Sequence, residues 1–229
     1  MNNTLFFTTA YFQGDEWHWW RESCQLLGLN WDAYGVGKPF PGLPQAKIVD
    51  MLRYLESKQE EYVCFADGYD SFFTYWDHTK AMEVLGDSSL IVACEDNCYP
   101  DSSVAGRYPE LLFPWRYMCP GQFFGKREYV LQTLEILQRE YMPKLGGMDQ
   151  EHWVLAFLDG KMPKTKLDNQ CQLFQTMSGP SGRYVVQVLD GRAANVFTMT
   201  MPMNIHFNGR VQGIEEWFNK WKEARLATA

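Results

Sequence analysis

Two kinds of hydrophobic pattern alternate along the N-terminal half of the chain. Short apolar runs bounded by polar or turn residues predict three buried strands, at residues 5–9, 62–66 and 89–94. Apolar residues that recur every three or four positions predict helices, at residues 15–27, 44–57 and 79–85. Unbroken apolar strands between helices are typical of a mostly parallel sheet covered by helices on both faces. We therefore expect an α/β fold.

A loop and a second group of elements complete the pattern. Glycine and proline are frequent in residues 28–43, which we predict to be a loop, and loops of this length are usually functional. Strands at residues 184–189 and 194–199, around a turn at 190–192, predict a small β-hairpin near the C-terminus. No repeat or linker divides the chain, so we expect a single domain over residues 1–229. Helical spacing predicts further helices at residues 126–141, 149–158 and 214–226.

The composition is that of a folded protein. Of the 229 residues, 46% are hydrophobic and 16% aromatic, which is typical of a chain that buries a large core. The formal net charge of −7 argues against an extensive contact surface for nucleic acid, although it leaves room for a local basic groove.

The cysteines and the N-terminus bear on the compartment. The six cysteines form no C-x-x-C pair and no zinc-binding spacing. The first residues lack the basic segment of a secretory signal and have the pattern of a strand, and no apolar stretch is long enough to span a membrane. We therefore expect a cytoplasmic protein with reduced thiols and no membrane partner.

The end of one predicted strand carries candidate chemistry. The strand Tyr62–Ala66 is followed directly by Asp67, Gly68, Tyr69 and Asp70. Ligands of an open α/β sheet bind beyond the carboxyl ends of its strands. Two neighbouring carboxylates repel each other unless a cation or a proton lies between them, and their hard oxygen atoms suit Mg²⁺ or Mn²⁺. The alternative interpretation is a solvated turn, because Asp and Gly are ordinary turn residues.

Several segments resemble one protein family, in the same order along the chain. The segment DGYD is similar to the acidic strand-end motif of GT-A glycosyltransferases, and more specifically to that of the glycosyltransferase domain of the procollagen lysyl hydroxylases. Further segments that resemble this family are PQAKIVDMLR, CYPD, CPGQFFG, MDQEHWVLAFLDG, LDNQCQLFQTM and MPMNIHFNGR. The resemblance implies a single GT-A-like domain. It covers nearly the whole chain, so we expect a stand-alone version without the hydroxylase domain.

The resemblance implies how a nucleotide-sugar and a metal ion are held. The family binds a UDP-sugar together with Mn²⁺, so a Mn²⁺ (or Mg²⁺) ion is implied, with the ligands Asp67, Asp70 and His206. An imidazole beside two carboxylates is a reasonable ligand set for Mn²⁺. Tyr69 is implied to stack on uracil. Thr8 or Thr9, at the end of the first strand, is implied to contact the uridine.

Other residues are implied to contact the diphosphate and the sugar. Lys47 would meet the diphosphate, and Asn208 and Gly209 would form a tight turn beside it. Asp149 and Gln150 would face the donor sugar, and Asp149 is the first candidate for a base that activates the acceptor hydroxyl. Without the resemblance, Lys47 is equally well an exposed helical lysine, and Asp149 is equally well a helix N-cap.

The implied reaction moves a hexose, glucose or galactose, from a UDP-sugar to an acceptor hydroxyl on a protein, a glycan or a hydroxylated nucleobase of DNA. A non-catalytic nucleotide-sugar or glycan-binding module is the alternative function. Gln122 stands where the family has a glycine, so we expect a restricted approach of the backbone to the sugar. A basic groove near the site would fit a nucleic-acid acceptor, and its candidate residues are Arg116, Lys126, Arg127, Lys161, Lys164 and Lys166. The other interpretation of these residues is scattered surface charge.

Overall fold

A computed structural model describes residues 3–11, 16–179, 182, 185–209 and 212–228. Its strands are β1 (Thr4–Thr9), β2 (Trp31–Tyr34), β3 (Tyr62–Ala66), β4 (Ser71–Phe73), β5 (Leu90–Glu95), β6 (Tyr117–Lys126), β7 (Thr165–Leu167), β8 (Phe174–Thr176), β9 (Val186–Leu189), β10 (Arg192–Asn195) and β11 (Asn204–His206). Its α-helices are α1 (His18–Leu26), α2 (Met51–Glu56), α3 (His78–Leu85), α4 (Arg127–Ile136), α5 (Asp149–Leu158) and α6 (Ile214–Thr228). π-Helical turns precede α2 (Gln45–Asp50) and follow α4 (Leu137–Tyr141), and a 3₁₀ helix (Ser102–Arg107) follows β5.

A six-stranded sheet in the order β2-β1-β3-β6-β5-β7 forms the centre of the molecule. β1 pairs in parallel with both β2 and β3, and β5 pairs in parallel with β7. β6 is the reversed strand, antiparallel to β3 and to β5. The expected α/β fold with a mostly parallel central sheet is therefore confirmed.

Both faces of this sheet are buried, which explains the unbroken apolar runs. Successive side chains of a strand point to opposite faces, so each strand contributes to two cores. On one face the strands pack with α2, α4 and α5 through Phe7, Phe65 and Phe123. On the other face they pack with α1 and α3 through the chain neighbours Phe6, Cys64 and Phe124.

Three strands of the central sheet, β2, β6 and the three-residue β7, were not predicted. The segment predicted as a loop, residues 28–43, contains β2, so that prediction is wrong for its middle part. β2 is an edge strand whose side chains are mostly half-exposed, and it therefore lacks the apolar run of a buried strand. β6 was not predicted either, because Pro120 and Gly121 within it are residues that disfavour strand interiors.

A second, three-stranded sheet lies beside the first, in the order β4-β11-β8. β11 runs antiparallel to β4 and parallel to β8. The predicted C-terminal helix is confirmed as α6, and it packs on this small sheet. The ring of Phe72 lies 5.2 Å from that of Phe218 and 5.6 Å from that of Trp221. The small sheet thus anchors the C-terminal part of the chain beside the end of β3.

The predicted hairpin near the C-terminus is confirmed as the antiparallel pair β9 and β10. Its turn is Asp190–Gly191, with φ angles of 49° and 67°, which is the left-handed geometry of tight two-residue hairpin turns. The second strand ends at Asn195, so the predicted strand at residues 194–199 is largely wrong. The apolar residues that suggested it, Val196, Phe197 and Met199, are 48%, 54% and 86% exposed. Residue 184 of the first predicted strand lies outside the described residues.

The ends of several strands lie close together at one end of the central sheet, measured along the strand direction. The carboxyl ends of β1, β3 and β5 meet there with the start of β6. Among the described residues, no helix is both long and apolar enough to cross a membrane.

Candidate active site

The turn between β3 and β4 carries both predicted carboxylates. The backbone NH of Asp67 donates to the Gly121 carbonyl at 2.9 Å, and the Asp70 carbonyl accepts from the Phe207 NH at 2.7 Å. The Ser71 hydroxyl donates to the Asp67 carbonyl at 2.6 Å and closes the turn. These three hydrogen bonds tie the turn to the central sheet and to the small sheet, so both carboxylates have fixed positions.

His206 joins these carboxylates from the other sheet. It is the last residue of β11, opposite Ser71, and its side chain is only 4% exposed. Its Nε2 lies 3.1 Å from Asp70 Oδ1 and 3.7 Å from Asp67 Oδ2. One ligand atom from each of the three residues lies within 4.8 Å of the other two. Two carboxylates and one imidazole at this separation fit a divalent ion such as Mn²⁺.

Gly121 makes this close approach of the two sheets possible. A Cβ atom at this position would lie 2.5 Å from His206 Cε1 and 2.7 Å from Asp67 Oδ2. No side chain fits at those distances. The glycine is therefore required where β6 passes under the candidate metal ligands.

The charges of the three candidate ligands depend on one another. Burial tends to raise the pKa of Asp70, but the neighbouring His206 outweighs burial and lowers that pKa below its usual value. Burial tends to lower the pKa of His206, and Asp70 raises it overall. Burial raises the pKa of Asp67, against the opposing effects of Lys47 and His206. A cation among these groups would favour the ionised form of both carboxylates.

Lys47 lies in the cavity and not on an exposed helix face. Its side chain is 14% exposed, and its Nζ lies 2.6 Å from Asp67 Oδ1 and 2.8 Å from Asp67 Oδ2. Asp149 Oδ2 is 3.8 Å from the same nitrogen atom. Burial tends to lower the pKa of Lys47, but Asp149 and Asp67 raise it overall, so the ammonium is charged.

Asp149 and Gln150 begin α5 at the wall of the same cavity. The N-cap position belongs to Met148, so Asp149 does not act as the cap, and its carboxylate instead lines the cavity beside Lys47. The Gln150 Nε2 donates to Glu95 Oε1 at 2.6 Å and also lies within hydrogen-bond distance of the carbonyls of Tyr99 and Met118. α5 therefore directs a carboxylate and an amide toward the same space.

Glu95 is a cavity residue that the sequence interpretation missed. It ends β5, is 4% exposed, and accepts hydrogen bonds from Gln150 and, at 3.0 Å, from Asn208 Nδ2. Burial raises its pKa to about 7, although the hydrogen bond from Gln150 lowers it. A signal was present, because Glu95 directly follows the apolar run at residues 89–94, as Asp67 follows the run at residues 62–66.

Asn208 and Gly209 line the cavity just after β11. Asn208 Oδ1 accepts from the Ser178 NH at 3.1 Å, and its Nδ2 donates to the Ser178 hydroxyl at 2.8 Å. Gly209 has a φ of 74°, the left-handed conformation of a tight turn. One cavity of about 550 Å³ is lined by the three candidate metal ligands and by Lys47, Glu95, Asp149, Gln150, Asn208 and Gly209.

A second cavity of about 210 Å³ adjoins the first and shares Lys47, Asp67 and Asp70 with it. Tyr69 and Thr9 line this smaller cavity, with Tyr11, Phe40, Leu43 and Ala46. Thr8 lines neither cavity: its side chain is fully buried, and its Oγ1 would be 2.7 Å from a Cβ atom at Gly68. The structure therefore brings Thr9, and not Thr8, to the side of the candidate nucleotide site.

Comparison with known proteins identifies the family. The family model described as "PLOD GT domain" matches residues 1–220. This chain belongs to that family. Procollagen-lysine,2-oxoglutarate 5-dioxygenase 1 of Bos taurus is 26% identical over 91% of this chain, and the multifunctional procollagen lysine hydroxylase and glycosyltransferase LH3 of Rattus norvegicus is 26% identical over 90%. The chain spans 30% and 29% of the length of these two relatives.

Two solved structures with a similar fold are glycosyltransferases. The galactosyltransferase LgtC, in complex with donor and acceptor sugar analogs, has a TM-score of 0.54 and 11% identity, covering 96% of this chain and 94% of its own. A glycosyltransferase involved in glycosylation of the major capsid of PBCV-1 has a TM-score of 0.54 and 11% identity, covering 96% and 98%. At this identity the likeness concerns the fold. By family this chain is a PLOD GT domain, and its fold is that of GT-A glycosyltransferases, as the motifs predicted.

Gln122 does not restrict the cavity of this PLOD GT domain. Its side chain is fully buried, and its amide donates to Asn204 Oδ1. The backbone that approaches the cavity from β6 is that of Cys119, Pro120 and Gly121. The expectation that Gln122 hinders approach to the sugar is therefore wrong, because its side chain points away from the cavity.

The prediction that six basic residues line a groove near the site is also wrong. Lys126 pairs with Tyr62 at the amino end of β3, and Arg127 donates to the carbonyls of Glu60 and Leu55. The Lys164 carbonyl accepts from the Ser89 NH just before β5. These residues lie at the amino ends of β3 and β5, whereas Asp67 and Glu95 lie at the carboxyl ends of the same strands. Arg116 lies at the other end of the sheet, where its guanidinium carbon is 4.8 Å from the ring centroid of Tyr117 at the start of β6. The six basic residues therefore do not form one groove.

Proposed function

We propose that this protein is a metal-dependent glycosyltransferase that moves a hexose, glucose or galactose, from a UDP-sugar to an acceptor hydroxyl. The main observation that supports this proposal is the arrangement of Asp67, Asp70 and His206. Their ligand atoms lie within 4.8 Å of one another beside a cavity of about 550 Å³. Their chemistry fits Mn²⁺ or Mg²⁺.

The proposed donor spans both cavities. A divalent ion held by the three ligands would offset the negative charge that develops on the departing diphosphate. Lys47 lies at the junction of the two cavities and binds the diphosphate as a point charge. The smaller, more aromatic cavity takes the uracil, with Tyr69 as the stacking ring and Thr9 beside the ribose.

The sugar lies in the larger cavity. Its hydroxyl groups meet a polar wall made by Glu95, Gln150 and Asn208, which already hydrogen-bond to one another. Gly209 allows the backbone to turn close to the phosphates. Asp149 is the proposed base for the acceptor hydroxyl, since its carboxylate lines the cavity close to Lys47.

The acceptor is proposed only as a hydroxyl group on a protein, a glycan or a modified nucleobase. The relatives named above are hydroxylases or carry a glycosyltransferase in their names, and this chain matches less than a third of their length. We keep the cytoplasm as the proposed compartment, which is compatible with the six free thiols.

A thermal-shift titration with UDP tests the donor site. A ligand that binds only the folded state raises the melting temperature by mass action. We expect UDP with Mn²⁺ to raise the melting temperature of the wild type more than either alone. Asp70→Ala should abolish this gain, whereas Asp87→Ala, at an exposed carboxylate outside both cavities, should keep it.

Turnover separates an enzyme from a binding module. Release of UDP from UDP-glucose or UDP-galactose in the presence of hydroxyl acceptors supports the transferase. A metal-dependent shift without turnover of any donor would favour the non-catalytic nucleotide-sugar-binding module. No shift with UDP under any condition would contradict the donor site itself.

A further inference from the structure

A lysine ammonium lies against one of the candidate metal ligands. Lys47 Nζ is 2.6 Å from Asp67 Oδ1 and 2.8 Å from Asp67 Oδ2. The two side chains are 14% and 17% exposed, so water and salt screen this ion pair only weakly. Both oxygen atoms that Asp67 can offer to an ion are therefore in contact with a positive charge.

The position of this ammonium is fixed by its surroundings. Lys47 belongs to the π-helical turn Gln45–Asp50, whose residues Ala46 and Ile48 are fully buried, so the backbone cannot readily withdraw. The ammonium also faces Asp149 Oδ2 at 3.8 Å. Lys47 can leave Asp67 only by a rearrangement of its flexible side chain, within the cavity that it lines.

We propose that Lys47 competes with the metal ion for Asp67, and that the donor diphosphate relieves this competition by drawing the ammonium away. This inference rests on the proposed function. An ammonium and a divalent ion that share one carboxylate repel each other at close range. The diphosphate carries the negative charge that gives Lys47 another partner. Metal ion and donor then bind cooperatively, and each raises the affinity of the other by the same factor.

Removal of the ammonium gives a specific expectation. Lys47→Met retains an unbranched apolar stem and removes the charge. Without nucleotide, we expect Lys47→Met to bind Mn²⁺ about tenfold more tightly than the wild type, a typical size for coupling between two sites. UDP without metal should bind this variant more weakly, because the diphosphate loses a charged partner. The gain in Mn²⁺ affinity on adding UDP should therefore be smaller than in the wild type.

Isothermal titration calorimetry with Mn²⁺, with and without saturating UDP, measures these affinities. Lys47→Gln serves as a second neutral variant that still donates a hydrogen bond to Asp67, in case Lys47→Met does not fold. Lys47→Arg keeps the charge and should resemble the wild type. Lys58→Met is the matched control, because Lys58 Nζ also lies 2.6 Å from a carboxylate oxygen, that of Asp32, outside both cavities.

The outcomes separate this inference from the proposed function. Tighter Mn²⁺ binding by both neutral variants, with no change in Lys58→Met, supports the competition. Equal or weaker Mn²⁺ binding by the neutral variants overturns it and leaves the metal site in place. If neither the wild type nor the neutral variants bind Mn²⁺, the inference fails together with the metal dependence of the proposed function.

Discussion

At the scale of single residues, Glu95 stands out because its carboxyl group keeps its proton to an unusually high pH. It sits at the end of β5, where Gln150 and Asn208 donate to its two oxygen atoms. Burial raises its pKa from 4.5 to about 7. The hydrogen bonds favour the ionised form but do not fully compensate for the loss of water. Near neutral pH the larger cavity therefore contains a carboxyl group that readily gains or loses a proton.

This raised pKa predicts a pH dependence of stability. As pH rises past 4.5 the unfolded chain loses the Glu95 proton, while the folded protein keeps it until about pH 7. The stability linked to Glu95 is therefore fully present below pH 4.5 and is lost as pH rises through about 7. Relative to Glu95→Gln, the unfolding free energy of the wild type should fall over this interval, by up to about 3 kcal/mol.

Urea unfolding of both proteins at closely spaced pH values measures this difference. Glu223→Gln, at an exposed position of α6, controls for the loss of one negative charge. A difference between wild type and Glu95→Gln that does not change with pH would contradict the raised pKa of Glu95.

The residues of the site differ in how far the sequence could reveal them. Asp67 and Asp70 were found because carboxylates after a buried strand are a local signal. Glu95 has the same signal, because it directly follows the apolar run at residues 89–94, and the sequence interpretation overlooked it. His206 and Lys47 have no local signal, because their partners lie far away in sequence and meet them only in the folded chain. Only the resemblance to a family suggested these two residues.

At the scale of elements, length and burial decide which strands the sequence predicts. β1, β3 and β5 are buried on both faces and have unmistakable apolar runs. β4, β8 and β11 have only three residues each, and pairing between distant segments specifies them. After β10, exposed apolar residues suggested that the strand continues to residue 199. In the structure, residues 196–199 form a turn instead. A hydrophobic pattern cannot distinguish such residues from buried ones.

The helix α6 gives a prediction at this scale. Trp221 is fully buried, packs on Phe72 of β4, and donates its Nε1 hydrogen to the Thr74 carbonyl at 3.0 Å. Trp221→Ala removes this packing and leaves a cavity, so it should lower the unfolding free energy by about 3–5 kcal/mol. Leu226→Ala, at a position that is 60% exposed on the same helix, should change it by less than about 0.5 kcal/mol. Urea unfolding of the two variants measures both effects, and similar losses would mean that α6 does not anchor the small sheet.

At the scale of the whole molecule, the candidate site joins two sheets. Asp67 and Asp70 follow β3 of the central sheet, whereas His206 ends β11 of the small sheet. The Asp67 NH bonds to the Gly121 carbonyl in the central sheet, and the Phe207 NH bonds to the Asp70 carbonyl across the junction. A metal ion held by all three ligands would connect segments that are more than half the chain apart, and should oppose the local opening of both sheets together.

Hydrogen exchange measured by mass spectrometry tests this connection. On addition of Mn²⁺ and UDP, we expect slower amide exchange in residues 62–73 and also in residues 203–209, because opening either segment would break contacts with the ion. Residues 127–136 in α4, remote from both cavities, should exchange as before and provide an internal control. Asp70→Ala should lose the protection in both segments at once, since the ion needs ligands from both. Protection confined to residues 62–73 would mean that the ion is bound without His206, and the two sheets would then open independently.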